Sequence, residues 1–131
     1  MPNKGLYATY ISVYFQFEGF HKWSNAPDEV GFLRDLHRHI FHVKATIQVS
    51  HSDRDLEFIL VKRWLESEVP KMKTVLGEGA SCEMMCRYFI DVITDRHPSI
   101  PYVMVEVSED GENGGIVEYR SSEKPEYQKV S

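Results

Sequence analysis

The sequence predicts an α+β domain in the order β-β-α-α-β-β, with four antiparallel strands and two helices on one face of the sheet. Three observations predict it: a two-residue alternation early in the chain, a change to helical spacing behind a polar turn, and a closing pair of short strands. Over residues 7–17, Tyr7, Thr9, Ile11, Val13, Phe15 and Phe17 fall on one side. Period two in β-branched and aromatic residues makes this a strand with one strongly buried face. Gly, Ser, Asn, Pro and Asp break the pattern over residues 19–28, as a loop does. A second strand spans residues 36–50, with His37, His39, Phe41, Val43, Ala45, Ile47 and Val49 on its odd positions.

Behind the polar turn at residues 51–55, Phe58, Val61 and Leu65 take helical spacing, and a helix ending near Pro70 is expected. Residues 71–80, which include Gly77 and Gly79, read as a linker. Ser81 then suits a helix N-cap, with Glu83 in the first turn where the helix dipole favours negative charge. Cys82, Met85, Cys86, Phe89 and Ile93 form one apolar face of this second helix. Residues 102–108 and 116–119 read as a hairpin about a turn at 109–115. One domain over residues 1–120 is expected, followed by a polar, flexible tail at 121–131.

Composition narrows the function. The chain has 131 residues, 42% apolar and 27% charged, which is a single globular domain rather than a disordered chain. Asp and Glu number 20 against 15 Lys and Arg, a net charge of −5 that disfavours nucleic acid as a partner. No apolar run reaches the ~18 residues of a membrane span, and no apolar segment follows the opening Met-Pro-Asn-Lys-Gly. Two cysteines are too few for a disulfide scaffold, so a cytoplasmic protein is expected. A four-stranded sheet leaves its edges unpaired, which favours closing it against further copies of the chain.

The histidines carry the chemistry. His37 and His39 lie two apart on a strand and so face the same way, on the apolar side. Buried imidazoles need partners, which either hydrogen bonds or a divalent metal can provide. His21 keeps the odd parity of the first strand, so pairing of the first two strands brings it to the end that holds His37 and His39. Convergence of the three favours metal. His42, His51 and His97 read as solvated surface residues.

With these pieces assembled, the chain resembles the tunnelling-fold family of 6-pyruvoyl- and 6-carboxy-tetrahydropterin synthases over residues 7–120. The family's Phe-x-Ala-x-His strand end is matched by Phe17-Glu18-Gly19-Phe20-His21, and its His-Gly-His by Leu36-His37-Arg38-His39-Ile40-Phe41. Glu57-Phe58-Ile59-Leu60-Val61-Lys62 stands for the element that opens the first helix, and Ser81-Cys82-Glu83 for the one that opens the second. The family's Val-x-Val-x-Glu-Thr is similar to Val105-Glu106-Val107-Ser108-Glu109-Asp110.

The resemblance implies zinc on His21, His37 and His39, with the Glu109 carboxylate accepting two N–H donors from the edge of a pterin-like ring. It also implies trimers that close their sheets into a barrel, often paired as hexamers. The reaction implied is that of a zinc-dependent lyase acting on 7,8-dihydroneopterin triphosphate or a related pterin or purine compound. The family's proton relay is not matched. Leu33 occupies the position of its Cys, residues 66–80 offer no Asp-His pair, and Arg38 replaces the Gly between the histidines. No catalytic proton carrier is assigned. Arg38, with Arg34, is a candidate to meet an anionic substrate group or to pair with nearby acids. Asp28, Glu29, Asp35 and Glu78 read as surface acids, and Cys82 and Cys86 as core packing. A catalytically silent pterin- or nucleotide-binding protein, or a zinc-stabilised interaction scaffold, stands as the alternative.

Overall fold

The computed structural model describes residues 5–122. Four strands, β1 (Thr9–His21), β2 (His37–Val49), β3 (Tyr102–Glu109) and β4 (Asn113–Arg120), form one antiparallel sheet in the order β1-β2-β3-β4. Odd positions of β1, β2 and β3 turn toward the helices. There Val13, Phe15, Phe41, Val43, Ala45, Ile47, Val103, Val105 and Val107 are buried. Burying such side chains contributes about 1.5–3 kcal/mol each, so this face dominates the stability of the fold.

β1 and β2 pair along their whole length, from Thr9↔Val49 to His21↔His37. The expected loop at residues 19–28 therefore starts later, because β1 continues through Gly19 and Phe20 to His21. Gly19 interrupts the sequence pattern but not the strand. A Cβ there would meet the Phe41 ring at 2.9 Å, so the glycine makes room for that ring. Between β1 and β2 lies a 3-10 helix (Asp28–Arg34), which no apolar periodicity announced. Arg34 secures this loop by donating to the Ala26 carbonyl at 2.8 Å and to Asp28 at 2.7 Å.

Three helices, not two, cover the sheet: α1 (Phe58–Ser67), α2 (Val69–Leu76) and α3 (Cys82–Arg96). The Glu57 side chain caps α1 by accepting from the N–H groups of Ile59 and Leu60. The first helix stops at Ser67, before Pro70, and most of the expected linker at 71–80 is the helix α2. Pro70 lies in the first turn of α2, where a missing N–H breaks no helical hydrogen bond; the proline begins a helix rather than ending one. Gly77, at φ 72°, ends α2 by donating to the Lys73 carbonyl. Ser81 caps α3 as expected, accepting from Met84 N–H at 3.1 Å. α1 packs on β1, and α3 lies across β3 and β4.

The closing hairpin is tighter than expected, since β3 runs through Glu109 and β4 begins at Asn113. Asp110 and Gly111 take left-handed conformations, φ 56° and 73°, which suit the twist of a close hairpin. The anticipated tail falls outside the described residues from position 123 onward. Among the described residues, no helix is long and apolar enough to cross a membrane.

Candidate metal centre

The antiparallel register that buries the core also assembles the histidines. Pairing of His21 with His37 places β1's last residue beside β2's first, and His39 follows two residues on along the same face. The ring centroids stand 4.6 Å apart for His21 and His37, 4.9 Å for His37 and His39, and 5.1 Å for His21 and His39. One ligand nitrogen from each lies within 4.8 Å of the others. Phe41 forms the floor, its ring 5.2 Å from His21 and 5.8 Å from His39.

Each imidazole is held from behind through Nδ1. His21 Nδ1 faces the Ala80 carbonyl at 3.2 Å, His37 Nδ1 the Asp35 carbonyl at 2.7 Å, and His39 Nδ1 the Asp110 carboxylate at 2.6 Å. A carbonyl or an ionised carboxylate can only accept, so each Nδ1 carries the proton and each neutral ring keeps its lone pair on Nε2. The chain delivers those acceptors from separate places. Lys22 N–H donates to the Glu78 carbonyl at 2.8 Å, which fastens the stretch between α2 and α3 alongside the end of β1 and brings Ala80 to His21.

The three Nε2 atoms have no comparable partners. Those of His37 and His39 are buried without a hydrogen bond. His21 Nε2 lies 3.0 Å from Glu109 Oε2, and His39 Nε2 lies 3.7 Å from Glu109 Oε1. A lone pair against a carboxylate oxygen is a contact between two acceptors, which only a shared cation or proton makes favourable. Burial, the largest effect on His21, holds its pKa below the ordinary value despite the Ala80 hydrogen bond and the Glu109 charge; neighbouring His37 and His39 push it the same way. Neutral imidazoles with converging Nε2 atoms and occupied Nδ1 atoms are the donor set of a zinc site. The residues present thus fit the metal that the resemblance implies.

A cleft of about 490 Å³ opens beside the histidines, lined by His21, His37, Leu33, Cys82 and Glu109 among others. That volume lies in the range that takes a small organic ligand. Leu33, at the position of the family's Cys, lines this cleft and brings no ionisable group. Cys82 and Cys86 are buried; burial pushes their thiols up to about 12 and about 11, so both stay protonated. Arg38 has the opposite parity and pairs with Glu18 on the uncovered face of the sheet, so within this chain it does not line the cleft. Arg34 is engaged by Ala26 and Asp28. Asp110 is the site residue that sequence reasoning passes over: it falls in the turn expected at 109–115, and nothing local to that turn marks its contact with His39.

No protein-family model and no curated protein matches the sequence. Among solved structures, the chain is similar to the 6-pyruvoyl tetrahydropterin synthase of Plasmodium falciparum. The TM-score is 0.61 at 15% identity, and the match covers 87% of this chain and 99% of the other. An antiparallel four-strand sheet with its helices on one face, superposing on nearly the whole of that synthase, gives this chain the tunnelling fold of 6-pyruvoyl tetrahydropterin synthase.

Proposed function

We propose that the chain is a zinc-dependent, lyase-like enzyme acting on a reduced pterin such as 7,8-dihydroneopterin triphosphate, or on a related purine-derived compound. The observation that carries this reading is the set of three imidazoles whose Nδ1 atoms are occupied and whose Nε2 atoms converge beside a ligand-sized cleft. His21, His37 and His39 would hold the zinc. Bound there, the metal supplies a Lewis acid that polarises a hydroxyl or carbonyl oxygen of the substrate. Glu109 orients the ring, its carboxylate accepting paired N–H donors from a 2-amino-pyrimidinone edge. The Phe41 floor and the buried side chains behind it keep water from the back of the centre. Arg38 serves only an anionic group that approaches from the uncovered face, after displacing Glu18. The outer edges of β1 and β4, against which no other described strand lies, support assembly with further copies of the chain, as a trimer or as a hexamer of two trimers.

Two observations favour a second reading, a binding protein that keeps the metal and the cleft without turnover. Leu33 stands where a proton-transferring Cys would be, and α2 occupies the stretch where an Asp-His pair would be. Incubating the zinc-loaded protein with 7,8-dihydroneopterin triphosphate separates the two. Loss of triphosphate from the compound supports the enzyme. Saturable binding of the unchanged compound supports the binding protein, and neither result leaves a zinc-stabilised scaffold.

A further inference from the structure

We propose that Asp110 is a positioning residue that locks His39 as its Nδ1–H tautomer and aims His39 Nε2 at the shared centre of the three histidines; this rests on the zinc reading above. Asp110 holds the strand that carries His39 in three places. Its Oδ2 accepts from His39 Nδ1 at 2.6 Å, its Oδ1 accepts from the Ile40 N–H at 2.9 Å, and its own N–H donates to the Ile40 carbonyl at 2.7 Å. The two bonds to Ile40 fix the carboxylate against β2, so Oδ2 meets the imidazole from a set direction.

The backbone makes this possible. Consecutive residues of a strand point to opposite faces, so a regular continuation of β3 would turn residue 110 away from the face that Glu109 occupies. At φ 56°, Asp110 leaves the strand conformation and returns its side chain to His39. Glu109 and Asp110 thus address the two nitrogens of one ring, Glu109 at Nε2 and Asp110 at Nδ1. Left-handed backbone is costly for most side chains and is tolerated by Asp and Asn.

Asp110 is also unlike the other two Nδ1 partners. Ala80 and Asp35 act through backbone carbonyls, which are neutral and which no substitution removes. Asp110 acts through a charged side chain, and a carboxylate on Nδ1–H makes the opposite nitrogen a stronger donor to a metal. Where the tetrahydropterin synthase pattern has Thr after the Glu, this chain supplies an anion.

Two variants of the full chain test it. Asp110→Gly removes the carboxylate while suiting the left-handed turn. Asp110→Asn keeps size and turn but offers one oxygen to two donors, His39 Nδ1–H and Ile40 N–H; its NH2 group facing Nδ1 would favour the tautomer protonated on Nε2. Zinc affinity, measured by competition with a chromophoric chelator, is expected to fall about 10- to 100-fold in both variants. Long-range proton–nitrogen NMR of the metal-free proteins is expected to show His39 protonated on Nδ1 in the parent and on Nε2, or mixed, in the variants. Equal affinities and an unchanged His39 tautomer would overturn the assignment while leaving the zinc site standing. A parent protein that takes up no zinc would overturn the zinc reading, and the tautomer spectra would then decide the role of Asp110 alone.

Discussion

One face of β2 changes character along its length. From Phe41 to Val49 its odd positions are apolar and almost wholly buried; at His37 and His39 the same face continues as imidazoles. The apolar half needs only to be removed from water, and any well-packed neighbour serves. The imidazole half has an acceptor set behind each ring, so it depends on where particular atoms of other segments fall. Burial is non-directional, whereas hydrogen bonding and metal ligation are directional. Strength therefore comes from the first half of the face and specificity from the second.

Phe41 is the boundary between the two halves and carries the largest expected effect. It is 1% exposed and stacks on Phe17 with ring centroids 5.3 Å apart. Phe41→Ala should cost about 3–5 kcal/mol, read from urea unfolding of the metal-free protein. The same change should weaken zinc binding, because the floor beneath His21 and His39 is lost.

The His37→Ala/His39→Ala variant should behave in the opposite way. Without metal it removes two buried nitrogens that lack partners, but also the Nδ1 bonds to Asp35 and Asp110; these effects oppose one another, so its stability should fall by clearly less than that of Phe41→Ala. At zinc about 1,000-fold above the dissociation constant, the parent should gain about 4 kcal/mol and the variant nothing, as thermal unfolding with and without zinc would show. A variant that unfolds as readily as Phe41→Ala without metal would erase the distinction between the halves.

The effect of pH sharpens it further. Burial holds the folded-state pKa of His21 below its ordinary value of 6.5, so the unfolded chain binds more protons as pH falls through that value. Stability attached to His21 is thus fully present above about pH 6.5 and is lost as pH drops from there toward the lowered folded pKa. Metal-free protein should lose stability as pH falls below about 6.5, and His21→Gln should flatten that slope.

Smaller effects belong to the supports. Ser81→Ala removes the α3 cap and should cost about 1 kcal/mol. Because Ser81 adjoins the carbonyl that holds His21, zinc affinity should also fall slightly. Cys82 and Cys86, held as thiols by burial, should resist alkylation at pH 8 in the native protein and react once it is unfolded.

Much of this was legible in the residues, and the gaps have physical reasons. Strand parity put His21, His37 and His39 on one face because an alternation of two is local and survives any tertiary context. The spacing of Cys82, Met85, Cys86, Phe89 and Ile93 marked α3 for the same reason. Gly19 hid the end of β1, since its missing side chain answers to the Phe41 ring on the neighbouring strand. Pro70 hid α2, because a proline can stop a helix or start one and the choice lies in the backbone around it. Arg38 stood beside the histidines in sequence, yet strand alternation sends it to the other face.

The sequence by itself determined the order of the strands along the chain, the buried face of β1 and of β2, and the end of that pair where the imidazoles gather. These follow from periodicities that a few neighbouring residues set. Only the tertiary structure decided which atoms stand behind each ring. His21 meets Ala80 across 59 positions of sequence and His39 meets Asp110 across 71. Such meetings depend on the strand register, on the path of the chain after α2 and on one left-handed turn. No local pattern encodes them, because a hydrogen bond forms only when distance and direction are both met, and those are properties of the folded chain.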